Sequence, residues 1–137
     1  MSTTFSIPIR VYYEDTDSGG VVYYANYLKF MERARTEWMR ALGFEQDELL
    51  RTHGVLFAVR SVKLDFLKPA RFNDLLQVTV AVSHRGGASV TVRQRVQRQD
   101  LVLCEGEVKI ACIAAESFTS CAMPDAIAAR LTVGGAA

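Results

Sequence analysis

Two aspartates, Asp15 and Asp17, stand in a short polar segment whose residue types could support acid–base or nucleophilic chemistry. Asp17 is followed by Ser18, Gly19 and Gly20, and glycines let a backbone approach a ligand closely. A carboxylate next to a polarised carbonyl can attack it directly or activate a water molecule. We therefore expect the chemistry of this chain at this segment.

The polar segment lies between two different periodic patterns. Apolar residues alternate with polar ones before it, which predicts a half-buried strand ending near Tyr13. After it, apolar residues recur at helical spacing from Tyr27 to Leu42, with Asn26 as an N-cap and Gly43 as a C-terminal stop. A helix N-terminus carries unpaired N–H groups and a partial positive charge, so it can hold an anion or stabilise an oxyanion.

The rest of the chain predicts four strands joined by short turns. An even-numbered apolar set from Leu56 to Phe66 predicts one long strand, with Arg60 as an inward charge that needs a partner such as Glu32 or Glu37. Three further strands follow, with turn residues at 68–74, 84–87 and 98–100. The expected fold is α+β, a curved antiparallel five-stranded sheet wrapped around one long helix. Its open edges favour dimerisation.

Composition restricts the class of protein. A chain of 137 residues fits a single domain, 1–137, in which the tail from about residue 116 has weak periodicity. A net charge of +1 gives no reason to expect nucleic acid as the main partner. Three cysteines without a CxxC pair argue against a disulfide framework or a zinc site, so we expect no metal and no cofactor. No signal segment or membrane-length apolar run is present, which favours the cytoplasm.

The acidic segment has three rival interpretations. The start of a calcium loop fits Asp15 and Asp17, but Gly19 replaces an oxygen ligand and Asn26 stands where the bidentate Glu belongs. An aspartate-nucleophile phosphatase needs a doubly wound sheet, and here helices do not separate the later strands. Capping of turns is the ordinary role of loop aspartates. The two glycines and the adjacent helix start favour a functional role for Asp17 over simple capping.

Residues 13–27 (YEDTDSGGVVYYANY), followed by MERAR at 31–35, resemble the hotdog-fold acyl-CoA thioesterases of the 4-hydroxybenzoyl-CoA thioesterase type. The likeness is greatest to the Tol-Pal-associated branch, and it extends through VRS at 59–61 and KPAR at 68–71 to the last strand. The resemblance implies a hotdog fold, an acyl-CoA substrate, possible use of acyl carrier protein, and a homodimer often paired into a homotetramer with the site between subunits.

The resemblance also implies roles for individual positions. Asp17 matches the catalytic carboxylate, as nucleophile or general base, and the backbone N–H of Tyr24 matches the group that polarises the thioester carbonyl. Many members of the branch carry histidine at the Tyr24 position. Substrate contacts are implied for the following residues: Gly20, Val21, Val22, Tyr27, Arg60, Ser61 and Arg85.

Three functions are compatible with the sequence. The first is hydrolysis of acyl-CoA thioesters, with short or medium aliphatic or aromatic acyl groups, to the free acid and CoA. The second is a non-catalytic module that binds acyl-CoA or acyl carrier protein. The third is a hydratase or dehydratase, which normally needs a histidine with an acid. His53 and His84 both lie outside the acidic segment, so the third function ranks last.

Overall fold

A computed structural model, which describes residues 4–133, shows one antiparallel sheet with three helices in that range. The elements are β1 (Phe5–Arg10), α1 (Asn26–Ala41), α2 (Gln46–His53), β2 (Val55–Phe66), β3 (Leu75–Arg85), β4 (Ser89–Arg98), β5 (Leu101–Ala114), β6 (Thr119–Ser120) and α3 (Asp125–Ala128). The strand order is β1-β3-β4-β5-β2, and β6 adds to β5. The five main strands confirm the predicted α+β fold, to which the two-residue β6 is an addition. The two ends of the predicted domain 1–137 lie outside the described residues.

Helix α1 forms the centre of the core because its apolar residues recur on one face. Phe30, Met31 and Ala34 are fully buried, and Tyr27 and Trp38 are nearly so. The helix packs mainly against β1, β3 and β4, where Ile9 of β1 and the inward valines of β3 and β4 are also buried. Full burial of a side chain such as Phe30 or Met31 contributes about 1.5–3 kcal/mol. The sheet therefore holds α1, and with it the acidic segment, in a fixed position.

A β-bulge in β2 corrects the prediction for Arg60. The register with β5 shifts between Val59 and Ser61, so Arg60 is the extra residue of the bulge, and it is exposed. The bulge changes which residues face the helix: Val59 lies opposite Ile110 and Val62 lies opposite the buried Val108. The prediction that Arg60 points inward was wrong, because a strict alternation does not survive an inserted residue.

Two segments without a predicted element are ordered. Helix α2 buries Leu49 and ends at Gly54, which has φ of 65°. The tail after β5 buries Met123, Ile127 and Leu131 in the main core. The tail also places Cys121 opposite Cys112, with the two thiol sulfurs 3.7 Å apart. The long helix is therefore accompanied by two short ones, and the tail belongs to the domain.

The two outer strands of the sheet differ. β1 has six residues and contains Pro8, which has no N–H to donate. β2 has twelve residues and no proline, and Val59, Val62 and Phe66 on its helix-facing side are about half exposed.

Neither α1 nor any other described helix is long and apolar enough to cross a membrane.

Candidate active site

The acidic segment folds into a tight hairpin between β1 and α1. Thr16 and Val22 form an antiparallel bridge, and the Asp17 N–H donates to the Val21 carbonyl at 2.9 Å. Gly20 closes the turn with φ of 81°, and its N–H donates to the Asp17 carbonyl at 3.0 Å. Glycine is the residue that adopts this left-handed backbone without strain. We call residues 16–22 the site hairpin.

The Asp17 carboxylate is exposed at the start of the site hairpin. Its Oδ1 accepts a hydrogen bond from the Gly19 N–H at 2.8 Å. Within residues 4–133 no protein donor contacts Oδ2 and no cation pairs with this carboxylate. Asp17 therefore has one oxygen fixed by the hairpin and another available to a water molecule or a substrate.

Asp15 has a different, structural role. Its Oδ2 accepts the Tyr12 N–H at 2.8 Å, which caps the short 3₁₀ turn at Tyr13–Asp15. Its carbonyl accepts both the Tyr23 N–H at 2.9 Å and the Asn26 side-chain amide at 2.8 Å. The two aspartates thus have different roles. Asp15 joins the segment before the site hairpin to the segment after it, while Asp17 faces solvent.

Asn26 does not cap α1 as the sequence predicts. The N-cap position is Ala25, and Asn26 is the first helical residue, with its side chain buried and used to bind the Asp15 carbonyl. As a consequence no side chain caps the start of α1. The backbone N–H groups of Tyr24 and Ala25 have no acceptor in the described part of the chain. These free donors at a helix N-terminus can hold a carbonyl oxygen as it gains negative charge.

The bridge between Thr16 and Val22 relates the two predicted catalytic groups. Asp17 is one residue from this bridge on the first arm, and Tyr24 is two residues from it on the second. The Asp17 carboxylate and the backbone N–H groups at the start of α1 therefore belong to opposite arms of the same hairpin. Tyr24 itself is exposed, and the neighbouring Tyr24 phenol raises the pKa of the Tyr23 phenol above its usual value.

Tyr27 is buried beneath the site hairpin. Its hydroxyl oxygen accepts the Ala70 N–H at 3.1 Å, and the Ala70 carbonyl accepts the Val22 N–H at 2.8 Å. Burial raises the pKa of Tyr27, and the Ala70 hydrogen bond opposes this in part. Of the other predicted contacts, Val22 is buried, Val21 is bridged to Arg71, and Gly20 is exposed.

Two groups of aromatic rings include residues from the segments on either side of the site hairpin. Tyr24 meets Tyr23 at 4.9 Å and the edge of Phe66 at 6.2 Å between ring centroids. Tyr13 stacks on Phe72 at 3.9 Å. All five rings are substantially exposed, and exposed aromatic rings suit contact with an acyl chain or an aromatic acyl group.

Three predicted substrate-binding residues form no hydrogen bond or ion pair with Asp17 within the described chain. Arg60 and Ser61 are exposed at the bulge in the middle of β2, and no ion pair joins Arg60 to Glu32 or Glu37 among the described residues. Arg85 is exposed at the end of β3, whose first residue, Leu75, pairs with Arg10 just before the acidic segment. A single chain therefore does not bring Arg85 to the site hairpin.

Sequence reasoning missed the residues that hold the site from a distance. Ala70 and Phe66 belong to segments that the sequence singled out, but their relation to the site hairpin, like that of Phe72 to Tyr13, depends on the turn after β2. Arg35 and Gln94 form a half-buried contact at 2.9 Å between α1 and β4 that no local pattern predicts. The one available signal was Gln94, a polar residue on the inward parity of β4 between Val92 and Val96.

Comparison with known proteins agrees with the fold and the motif. The model of the thioesterase superfamily matches residues 19–105. An acyl-CoA thioesterase, YbgC, of Haemophilus influenzae is 45% identical over 91% of this chain and 92% of its own length. An acyl-CoA thioester hydrolase, YbgC, of Escherichia coli is 40% identical over 94% of this chain and 96% of its own.

A solved structure extends the agreement to three dimensions. The probable thioesterase of Bartonella henselae superimposes with a TM-score of 0.84 at 34% identity, covering 88% of this chain and 99% of that one. The fold is the hotdog fold of thioesterases, and the chain belongs to the thioesterase superfamily. It is a thioester hydrolase. The family match begins after Asp17, so the role of that residue rests on the geometry above.

Proposed function

We propose that this thioester hydrolase cleaves acyl-CoA by means of the Asp17 carboxylate, with the carbonyl held at the N-terminus of α1. The observation that carries the proposal is the shared hairpin, which joins an exposed carboxylate to the unpaired N–H groups of Tyr24 and Ala25. These donors stabilise the oxyanion that forms when the thioester carbonyl is attacked. The relatives named acyl-CoA thioesterases support the substrate class.

Asp17 acts in one of two ways. As a nucleophile, its carboxylate attacks the thioester carbon, CoA leaves as the thiol, and water then hydrolyses the mixed anhydride. As a general base, it removes a proton from water, which attacks directly. A single turnover in ¹⁸O-labelled water identifies the nucleophilic route when water attacks Asp17 Cγ of the anhydride, because the label then enters the Asp17 carboxylate. Attack at the acyl carbon leaves Asp17 unlabelled, so trapping of the anhydride with hydroxylamine completes the test.

A homodimer through β2 is the assembly that we propose. β2 is an outer strand, and Val59, Val62 and Phe66 on its helix-facing side are 48%, 42% and 52% exposed. Antiparallel pairing of two β2 strands would cover these side chains and satisfy the open backbone groups. It would also set the Arg85 end of one sheet beside the Asp17 end of the other, so that the second copy supplies basic residues for the CoA phosphates.

The cytoplasm is the compartment that we propose. Cys104, Cys112 and Cys121 are free thiols, although the Cys112 and Cys121 sulfurs lie 3.7 Å apart. Free thiols are typical of a reducing compartment.

The decisive experiment measures CoA release from acetyl-, butyryl-, hexanoyl-, palmitoyl-, benzoyl- and 4-hydroxybenzoyl-CoA with wild type and Asp17→Asn. We expect kcat for the preferred substrate to fall by about 10²–10⁴-fold in Asp17→Asn. Asp100→Asn, in the exposed turn between β4 and β5, is the matched control and should keep wild-type kcat. A folded Asp17→Asn enzyme with wild-type kcat would refute the role of Asp17. Binding without turnover by the wild type would instead favour a binding module or an acyl-carrier-protein substrate.

A further inference from the structure

Two of the three cysteines lie opposite each other where the tail folds back on β5. β6 pairs antiparallel with β5, with Ile113 opposite Ser120, and the next pair along this register is Cys112 and Cys121. Their sulfurs lie 3.7 Å apart. Residues directly opposite in antiparallel strands have Cα atoms about 4.5–5.5 Å apart, within the range of about 4.4–6.8 Å that a disulfide spans. A disulfide here therefore requires movement of the two side chains but not of the strands.

Backbone hydrogen bonds hold this cysteine pair beside the turn that joins β3 to β4. The Cys112 N–H donates to the Ala88 carbonyl at 2.8 Å, and its carbonyl accepts the Cys121 N–H at 2.9 Å. The Met123 N–H donates to the Gly87 carbonyl at 2.9 Å. β2 pairs with the other edge of β5, so the dimer that we propose through β2 lies on the side of β5 away from the cysteine pair.

The two thiols differ in exposure. Cys121 is partly exposed, whereas Cys112 is fully buried. Burial, followed by the contact with Cys121, raises the pKa of the Cys112 thiol from 9.0 to about 12. A reagent from solvent therefore meets Cys121 first, and Cys112 is placed to react with the sulfur of Cys121.

We propose that Cys112 and Cys121 form a redox modification site, which a low-molecular-weight disulfide oxidises to an intramolecular disulfide. First, the Cys121 thiolate attacks one sulfur of the reagent, forms a mixed disulfide and releases one reagent thiolate. The Cys112 sulfur then loses its proton to solvent, attacks Cys121 Sγ and breaks the bond from that sulfur to the reagent. The two released thiolates take up the two protons, so two protein thiols are oxidised and one reagent disulfide is reduced. Cytosolic disulfides are usually transient or redox-sensing, and a reversible bond of this kind agrees with a reducing compartment.

The disulfide would fasten the tail to β5. It joins residues nine positions apart, and the tail that follows buries Met123, Ile127 and Leu131 in the core. Because a cross-link restricts the unfolded chain, the oxidised protein should have a Tm about 5 °C or more above that of the reduced protein. Equal Tm values for the two forms would overturn this effect on the tail.

Glutathione disulfide is the probe, followed by alkylation of free thiols, tryptic digestion and mass spectrometry without reductant. Cleavage after Lys109 and Arg130 leaves both cysteines of the pair in one peptide, 110–130, whereas Cys104 lies in peptide 99–109. Peptide 110–130 should lack two hydrogens and carry no alkyl group, peptide 99–109 should be fully alkylated, and dithiothreitol should reverse the change. A lasting glutathione adduct on the wild type, a disulfide between chains, or no reaction would each overturn the proposal.

Three variants test the order of the two steps. Cys112→Ala should stop at the mixed disulfide and keep one glutathione on Cys121. Cys121→Ser should neither react nor gain Tm, because Cys112 is buried. Cys104→Val is the matched control, and it should form the disulfide as the wild type does. A glutathione adduct on Cys112 in Cys121→Ser, or loss of the disulfide in Cys104→Val, would refute the assignment of the pair.

Discussion

The Tyr27 hydroxyl accepts the Ala70 N–H at 3.1 Å, and through Ala70 the helix α1 is joined to the site hairpin. The Ala70 carbonyl accepts the Val22 N–H at 2.8 Å, so both polar groups of one buried residue are used. A buried backbone group without a partner costs free energy, which makes this pair of bonds a stringent requirement. The position of the site hairpin on the helix therefore depends on a phenol that lies beneath it.

Tyr27→Phe should destabilise the fold. The substitution leaves the buried Ala70 N–H without its acceptor, at a cost of about 1–3 kcal/mol in the free energy of unfolding. Urea denaturation gives this value. Tyr24→Phe removes a hydroxyl from an exposed ring and should change the free energy by less than about 0.5 kcal/mol. Equal stability of the two variants would show that the Tyr27 bond has no structural role.

Gly19→Ala should mainly lower activity, whereas Gly20→Ala should mainly lower stability. A Cβ on Gly19 would lie 3.2 Å from Asp17 Oδ1, so it should displace the carboxylate and lower kcat with little loss of stability. A Cβ on Gly20 meets no atom within 4 Å, but Gly20 has φ of 81°, which an L-residue with a side chain adopts only with backbone strain. This strain should lower the free energy of unfolding by about 1–3 kcal/mol. Unfolding and turnover, measured side by side, separate the two effects. A fully active Gly19→Ala enzyme would contradict the placement of Asp17.

Alkaline pH should destabilise the protein through Cys104. Burial, followed by the charges of Asp65 and Glu105, raises the pKa of this thiol from 9.0 to about 12. Between these two values the unfolded chain binds fewer protons than the folded one, so the free energy of unfolding falls as pH rises. The stabilising contribution is complete below pH 9 and is lost toward pH 12. In Cys104→Val this decline should be shallower; parallel curves would exclude Cys104 as its source.

Val62→Glu should convert the proposed dimer to monomer. Val62 is 42% exposed on β2, and two-fold pairing of β2 strands would bring two such carboxylates close together. Leu101→Glu is the control, because Leu101 is also 42% exposed but lies at the start of β5. Sedimentation should show a monomer for Val62→Glu and the wild-type species for Leu101→Glu. A dimer that survives Val62→Glu would place the interface elsewhere.

The sequence predicts those parts of the fold that local periodicity controls. Alternation in β3, β4 and β5 and helical spacing in α1 follow directly from which face is buried. The side of β2 on which Arg60 lies could not be predicted. The inserted residue of a β-bulge reverses the alternation, and no residue type in the sequence marks the insertion. Helix α2 had usable signals, with Asp47 and Glu48 in its first turn and Gly54 at its end.

The contacts that form the site are also of two kinds. Some join neighbours in sequence, which a local pattern can predict, and others join residues far apart in sequence. Asp17 and the helix start are neighbours in sequence, so the motif alone predicts their association. The Tyr27–Ala70 and Arg35–Gln94 contacts span 43 and 59 residues, and they depend on how the strands fold back on the helix. Asn26 shows a third case, in which a good capping residue is diverted to the Asp15 carbonyl by tertiary structure.

The contrast between the two outer strands has a consequence for growth of the assembly. Pro8 interrupts the row of donors along β1, and β1 is short, whereas β2 is long and contains no proline. If only the β2 edge of the sheet can pair, a single two-fold pairing completes the assembly. Both edge strands of the resulting dimer are then β1 strands. In the dimer that we propose, the missing N–H of Pro8 disfavours the addition of a further strand at these outer β1 strands.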